Sequence, residues 1–534
     1  RSIWVMAHYL SQVLGGAYRM PAGYLSLRGI VSNTTPQGAY RGIGRAEAIY
    51  LIERLIDKAA LVTGIDAVTL RRRNFITPEA MPYATPTGAV YDSGAFADTD
   101  RMELVLFHSG YRRTLEKEDA DLILVNTCSI REKAEQKTFS LFGGLKPLKM
   151  ANPDLILGLT GCLGQQEGEK LLKRMPYLDF VMGPDQVDGI AQAVDRVRNT
   201  GKTFVWTGFD QEKVYSIPEL SRDLPKAPGP SAFVNIIKGC DKFCTFCVVP
   251  FTRGREKSRE PEELFEEIRH LVNHGAKEII LLGQNVNSYG KRGLKNPMPF
   301  HELLYGIAEI PGVQRLRFTT SHPNDFTRET IRAYRDLDIL VNHLHLPVQS
   351  GNNQVLKAMR RDHTIEEYRD LLAELKSEVP DISLSTDIIV GFPGETDEAF
   401  ADTLKVMQEV GYSSSFMFAY SPRPGTPANE LPDSVPEETK KRRLQETISL
   451  QSRQTAQQGQ SFIGKNVEVL IEGRSSKPGY TFKGRNPQYW NVNIQGGESI
   501  LKAGDTVTVQ VEQVSGHSLN GTSRRHRDAG LSWQ

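Results

Sequence analysis

The stretch KGCDKFCTFCVVPFTRGR (238–255) places Cys240, Cys244 and Cys247 at C-x3-C-x2-C spacing, three thiols within eight residues. Thiols this close can form a zinc knuckle, part of a disulfide framework, or an iron–sulfur site. Structural zinc takes four ligands, usually as two separated pairs. No second Cys or His pair lies near, and the closest histidine, His270, sits in an amphipathic helical pattern. A four-iron cubane held by three cysteines instead keeps one iron open for something else. Zinc and plain buried thiols stay as the competing readings. The other two cysteines, Cys128 and Cys162, each follow an apolar run, in "DLILVNTC" and "DLILGLTGC". Taken singly, each reads as a small buried apolar residue, but their matched settings tilt the balance toward ligation. Five cysteines are odd in number, sparse and clustered, which argues against a secreted disulfide scaffold and for a reducing cytoplasm.

Alternating strand and helix patterns must position these residues. From Thr99, "RMELVLFHSGY" opens as a helix. Two rounds of apolar strand, cysteine-bearing loop and helix follow, which predicts a small parallel α/β domain with both cysteines at the sheet edge where ligands gather. The proline-rich "SIPELSRDLPKAPGP" (216–230) reads as a linker. Beyond it, "AFVNIIKG" leads into the cysteine triad. The strands "KEIILLG", "RLRFTTS", "HLHLPVQ", "SLSTDIIVG" and "SFMFAY" then alternate with amphipathic helices, about six βα units, which predicts an open or partial (β/α) barrel. Barrel active sites lie just past the strand ends, where the triad falls. After a proline stretch and a long charged helix, "NVEVLIEG", "YTFKGRN", "YWNVNIQG" and "DTVTVQVEQVSGHSLNGTS" alternate with turn signals, which predicts a small all-β barrel.

The 534 residues imply several domains. A net charge of +1 carries no global field for nucleic acid or membrane, so any basic patch is local. No run of eighteen apolar residues and no leader pattern is present, and membrane association is not expected. The chain begins with Arg1 rather than Met, which reads as a fragment or processed product.

The triad, with Phe246 just before its last cysteine, resembles the cluster motif of the radical S-adenosylmethionine (SAM) superfamily. "LLGQNVNSYG" (281–290), "FTTSHP" (318–323), "LHLPVQSGNNQVLKAMRR" (344–361) and "STDIIVGFPGET" (385–396) resemble its methylthiotransferase branch. "NTCSIREKAEQK" (126–137) and "FCTFCVVPFTRGRE" (243–256) are most similar to the tRNA-modifying members. The members that act on a ribosomal protein have different residues after their cysteines. The resemblance covers about residues 99–525. It implies a methylthiotransferase domain (99–205), a linker (206–230), a radical SAM core (231–456) and an RNA-binding TRAM barrel (459–525).

On the same resemblance, Cys240, Cys244 and Cys247 hold a 4Fe–4S cluster whose open iron chelates SAM, and an electron from the cluster releases a 5′-deoxyadenosyl radical. Phe246 lies against adenine, Gly283 and Gln284 flank the methionine moiety, and Asp387 to Gly391 flank the adenosine. The implied reaction converts N6-isopentenyladenosine, 3′ of the anticodon in tRNA, to its 2-methylthio derivative, with flavodoxin or ferredoxin as electron donor and a monomeric enzyme. A radical suits an aromatic C–H too weakly acidic for a side-chain base.

The family's second 4Fe–4S cluster takes three cysteines from the first domain, and here Cys128 and Cys162 match two of them. The third is expected near "YDSGAFADTDRM", where Asp92 stands instead, and no spare cysteine exists. Upstream, "TTPQGAYRGIGRAEA" and "LRRRNFITPEAMPYATPTGAVYDSGAF" resemble part of the molybdopterin-binding subunit of the xanthine dehydrogenase/aldehyde oxidase family. Residues 1–98 are therefore expected to be a foreign α+β fragment, joined near residue 98 in place of the strand that would carry the missing cysteine.

In the last barrel, Tyr480, Phe482, Lys483, Arg485, Tyr489 and Trp490 interleave aromatics with cations. That pattern suits stacking on unpaired bases, and equally suits a small barrel's own core. "KKRR" (440–443) and "RRHR" (524–527) add local positive charge. Two other functions compete: an RNA-binding, SAM-cleaving remnant unable to transfer sulfur, and a molybdenum hydroxylase fragment, which covers too little of the chain.

Overall fold

The structure is a computed structural model. It describes residues 54–60, 62–63, 83–84, 90–91, 97–114, 116–127, 132–209, 229–432, 434–475, 477, 479–496 and 501–523. Asp92, Cys128, the bulk of residues 1–96, most of the linker and the 524–527 basic run lie outside them.

The first described domain is a four-stranded parallel sheet in the order β1 (Leu122–Thr127), β2 (Ile156–Gly161), β3 (Phe180–Met182), β4 (Phe204–Trp206). Helix α1 (Ala97–His108) lays Met102 on one face with Ile156, Phe180 and Val194. Helix α2 (Glu132–Ala151) covers the other with Phe142 and Leu145. Strand β2 is buried along its whole length, as apolar runs in parallel sheets are. Strand β1 is no less apolar in Leu122–Val125, yet every residue of it is only half-buried, and among the described residues nothing pairs with its outer edge. The sheet therefore ends on an apolar edge, where an eligible strand would gain both hydrogen bonds and burial. Helix α3 (Cys162–Glu167) follows β2 directly, and α4 (Ile190–Thr200) packs beside α1.

The second domain contains six parallel strands in two groups of three. β5 (Ser231–Asn235), β6 (Glu278–Leu282) and β7 (Arg315–Phe318) form one, β8 (His343–His345), β9 (Ser383–Val390) and β10 (Ser414–Ala419) the other. A parallel bridge from Leu316 to Leu340 joins them, leaving β5 and β10 as edges of a partial barrel with no further strand paired among the described residues. Alternation decides the faces. Val234, Ile279, Leu281, Leu316, Leu344, Leu384 and Ile388 enter one core with the helices, and their neighbours Arg317, His345, Ser385 and Asp387 turn inward. Between the strands run α5 (Val249–Arg253), α6 (Pro261–Asn273), α7 (Phe300–Ala308), α8 (Arg328–Asp336), α9 (Asn353–Ala358), α10 (Ile365–Glu378) and α11 (Asp397–Val410). Their starts are chemically marked. Pro261 opens α6, Asn352 caps α9, and Thr364 with Glu367 forms a capping box on α10.

The long charged segment is α12 (Glu437–Gln460), packed on β10. Its buried stripe is polar because it meets backbone carbonyls at the end of α11 and the start of β10. Gln454 Nε2 donates to Met407 O at 2.7 Å, Gln451 Nε2 to Tyr412 O at 2.8 Å and Thr455 Oγ1 to Ser413 O at 2.8 Å. The chain ends in a closed five-stranded barrel of β11 (Asn466–Arg474), β12 (Phe482–Arg485), β13 (Asn491–Gln495), β14 (Thr506–Ser515) and β15 (Ser518–Ser523), in the order β11-β12-β13-β15-β14. The last predicted strand is two strands that turn at Gly516, whose φ of 58° is left-handed.

Candidate iron–sulfur and SAM site

Cys240 follows β5 after the short pairing of Ile237–Lys238 with Lys257–Ser258. Gly239 makes the turn at φ 75°, and a Cβ there would run into the carbonyls of Gly254 and Arg255. The loop is closed on itself. Cys240 N–H donates to Gly254 O at 3.2 Å, Cys247 N–H to Cys244 O at 2.9 Å, and Asp241 takes a two-pronged contact from Arg255 at 2.7 and 3.1 Å. Its middle is gripped from the end of α9. Thr245 N–H donates to Met359 O at 3.0 Å and Thr245 Oγ1 to Ala358 O at 2.9 Å. Three cysteines are thus fixed by backbone contacts around each of them.

Cys240 and Cys244 are buried and Cys247 half-buried. Burial pushes the Cys240 thiol up to about 12, with Cys247 and Cys244 adding to the rise, and burial pushes Cys247 up to about 11. As thiolates they need compensating cationic charge, and iron supplies it with release of their protons. Among the described residues no set of three His, Cys, Asp or Glu side chains forms a ready cage for one ion, so the fit rests on donor chemistry. Three thiols on one short loop match a cluster that leaves one iron to another ligand.

The other expected residues gather at the same strand ends. Gln284, after β6, accepts Gly239 N–H through Oε1 at 2.7 Å. At Gly283 a Cβ would run into the Ile237 side chain. Gly391 follows β9 at φ 72°, and the Lys440 stem occupies the space a Cβ would need. Asp387 projects inward from β9, and its Oδ1 lies 3.6 Å from His345 Nε2. Burial lowers His345, against the pull of Asp387. Phe246 packs beside Val355, Met359, Phe392 and Tyr420.

Sequence reasoning missed a charged cluster beside the triad. Asp325 accepts from Lys242 Nζ at 2.8 Å, Lys291 Nζ at 2.6 Å and Asn285 Nδ2 at 2.7 Å. Burial works to raise Asp325, but these bonds outweigh it and hold the carboxyl below its usual range. Glu256, hydrogen-bonded to Ser288, is pushed up to about 7 by burial, aided by Asp241 and Asp325. His322 is held far below its ordinary range by burial and the charges of Arg361 and Lys242, so its ring is neutral. The missed Arg361 donates from Nη1 to Cys244 Sγ at 3.5 Å. Its sulfur partner stands 117 residues away in the sequence, so no local pattern marks it.

In the first domain, Cys162 is buried at the start of α3. Thr127, the residue before Cys128 in the sequence, pairs in register with Gly161, the residue before Cys162. Cys128 itself lies outside the described residues. Helix α3 packs on α5, the helix after the triad, and a buried pair between Lys238 and Asp185 ties the two domains there. The two cysteine-bearing edges therefore meet. The thiol count still fails, because the triad uses three of five cysteines and two remain. The residues present do not fit a second cluster held by three thiolates.

In the small barrel two expected RNA contacts need correction. Trp490 is only 5 % exposed and packs in the barrel core with Val469, Val492 and Val509, so its indole offers no stacking face. Phe482 shares that core. Tyr489, half-buried, lies between the guanidinium groups of Arg317 (4.1 Å) and Arg485 (4.2 Å), with His343 at 5.0 Å, and so is taken up in docking the barrel on the radical core. Arg485 also pairs with Glu472 at 3.3 Å. Lys483 stays half-buried on β12.

Residues 94–183 match the Uncharacterized protein family UPF0004, residues 234–407 the Radical SAM superfamily, and residues 460–523 the TRAM domain. The chain is 44 % identical over 440 residues to the tRNA-2-methylthio-N(6)-dimethylallyladenosine synthase of Yersinia pseudotuberculosis (strain IP 31758), covering 82 % of this chain and 90 % of the relative. The chain belongs to the radical SAM methylthiotransferase family. The same synthase from Yersinia pestis (strain Pestoides F) aligns with equal identity and coverage. Members of this methylthiotransferase family use 4Fe–4S clusters and SAM. Residues 1–75 match a Molybdopterin cofactor-binding domain instead, in line with the resemblance of that segment. A radical S-adenosylmethionine methyltransferase, TsrM from Kitasatospora setae, aligns at TM-score 0.49 and 15 % identity over 63 % of this chain and 74 % of that one, too distant to bear on function.

Proposed function

We propose that this chain methylthiolates tRNA, converting N6-isopentenyladenosine 3′ of the anticodon to its 2-methylthio derivative. The observation that carries this reading is the self-closed loop holding Cys240, Cys244 and Cys247, in a chain 44 % identical to synthases of that name over 90 % of their length. A cluster on that loop would supply the electron that cleaves SAM and yields a 5′-deoxyadenosyl radical, able to attack an aromatic C–H that no side-chain base can deprotonate. The protein's part is to bind and orient. Gln284 fixes the turn at Gly239 and, with Gly283, borders the methionine end of SAM. Asp387 to Gly391 border the adenosine, and Phe246 offers an apolar face to the adenine. Lys483 offers the small barrel's cation to the RNA backbone. The domain extents 99–205, 231–456 and 459–525, a cytoplasmic monomer and a flavodoxin- or ferredoxin-type donor complete the proposal.

One observation favours a second reading. With two thiols left for the first domain, the chain would cleave SAM on tRNA without transferring sulfur. The test is anaerobic reconstitution with SAM, reductant and isopentenylated tRNA, followed by mass spectrometry of nucleosides. 5′-Deoxyadenosine together with the 2-methylthio nucleoside supports the first reading. 5′-Deoxyadenosine alone supports the second, and neither product defeats both.

A further inference from the structure

Arg361 is 5 % exposed, and among the described residues no carboxylate pairs with it. Its Nη2 donates to Pro347 O at 2.7 Å, its Nη1 to Cys244 Sγ at 3.5 Å, and its Nε has no partner. The backbone presents it under constraint, since Arg360 and Asp362 on either side both sit at φ 53°, in the left-handed region that non-glycine residues avoid. A buried guanidinium without an anion is strongly disfavoured. The nearest group able to become an anion is the Cys244 sulfur, and the neighbouring rings of His322 and His363, lowered chiefly by burial and further by Arg361 itself, supply none.

We propose that Arg361 is the fixed countercharge of the Cys244 thiolate and raises the reduction potential of the cluster held by the triad. Reduction adds one negative charge to an already anionic thiolate cluster. A hydrogen bond and a positive charge at a ligating sulfur stabilise the reduced form more than the oxidised one. Arg361 is thus a positioning residue that acts through Cys244, and it decides how strong a one-electron donor the chain needs. This inference rests on the triad holding a cluster.

The test is a redox titration followed by electron paramagnetic resonance on the full reconstituted chain without SAM, comparing wild type with Arg361→Lys, Arg361→Gln and Arg361→Met. At a fixed poise, Arg361→Gln and Arg361→Met should lower the reduced-to-oxidised ratio at least tenfold, about 59 mV for one electron. Arg361→Lys, which keeps the charge, should stay within about threefold of wild type. Should Arg361→Met fail to fold, the Lys and Gln pair decides alone. Wild-type potentials in both Gln and Lys variants, or a loss with Lys equal to that with Gln, would overturn the proposal. An iron content unchanged by Cys240→Ala/Cys244→Ala/Cys247→Ala would instead strike the cluster reading on which it rests.

Discussion

The triad loop and the first domain's cysteine edge solve the same problem in opposite ways. Cys240, Cys244 and Cys247 share one loop, closed on itself at Gly254 and gripped at Thr245 by the end of α9, so a short piece of chain carries the whole donor set. Cys128 and Cys162 follow different strands, and their partner would come from a third. That site depends on a complete sheet, yet β1 is an apolar edge with nothing paired on its outer side among the described residues. A locally encoded site survives a change in its surroundings. One gathered from separate strands loses a ligand when a single strand is replaced.

The largest expected effect breaks the stronger side. Cys247→Ala should remove the triad's cluster and abolish 5′-deoxyadenosine formation, with iron falling by about four per chain in a colorimetric assay. The same assay sharpens the weaker side. Cys162→Ala separates the two readings: the methylthiolating chain should hold about eight irons and drop to about four, whereas the SAM-cleaving remnant should hold about four and lose none.

Much of this contrast is legible in the residues, because thiol spacing and strand-ending glycines are local patterns. The six βα units and the terminal barrel follow from periodicity, and Gly239, Gly283 and Gly391 each stand where a Cβ would clash. Arg361 and Asp325 were hidden because their partners, Cys244 and Lys242, lie far along the chain. The aromatic stretch misled for a different reason. Alternation distinguishes two faces of a strand but not which face meets a second domain, and Tyr489 meets Arg317.

Smaller effects test that docking and the loop. Tyr489→Ala should lower the small barrel's stability by about 2 kcal/mol through two lost cation–π contacts, seen by calorimetry as an earlier separate transition. Gln284→Ala leaves the buried Gly239 N–H without its acceptor, which should cost about 1–2 kcal/mol and raise about tenfold the SAM concentration for half-maximal cleavage. The smallest concerns Glu256. Its carboxyl is raised from 4.5 to about 7, so its contribution is full below about pH 4.5 and declines as pH rises toward 7. Glu256→Gln should flatten that decline in urea midpoints measured between pH 5 and pH 7.5.

The most direct test of the account expresses the chain in cells lacking their own synthase and measures 2-methylthio-N6-isopentenyladenosine in their tRNA. The account predicts that nucleoside with the chain and none with Cys247→Ala. Its absence with the intact chain, while isopentenyladenosine accumulates, would contradict the proposed activity.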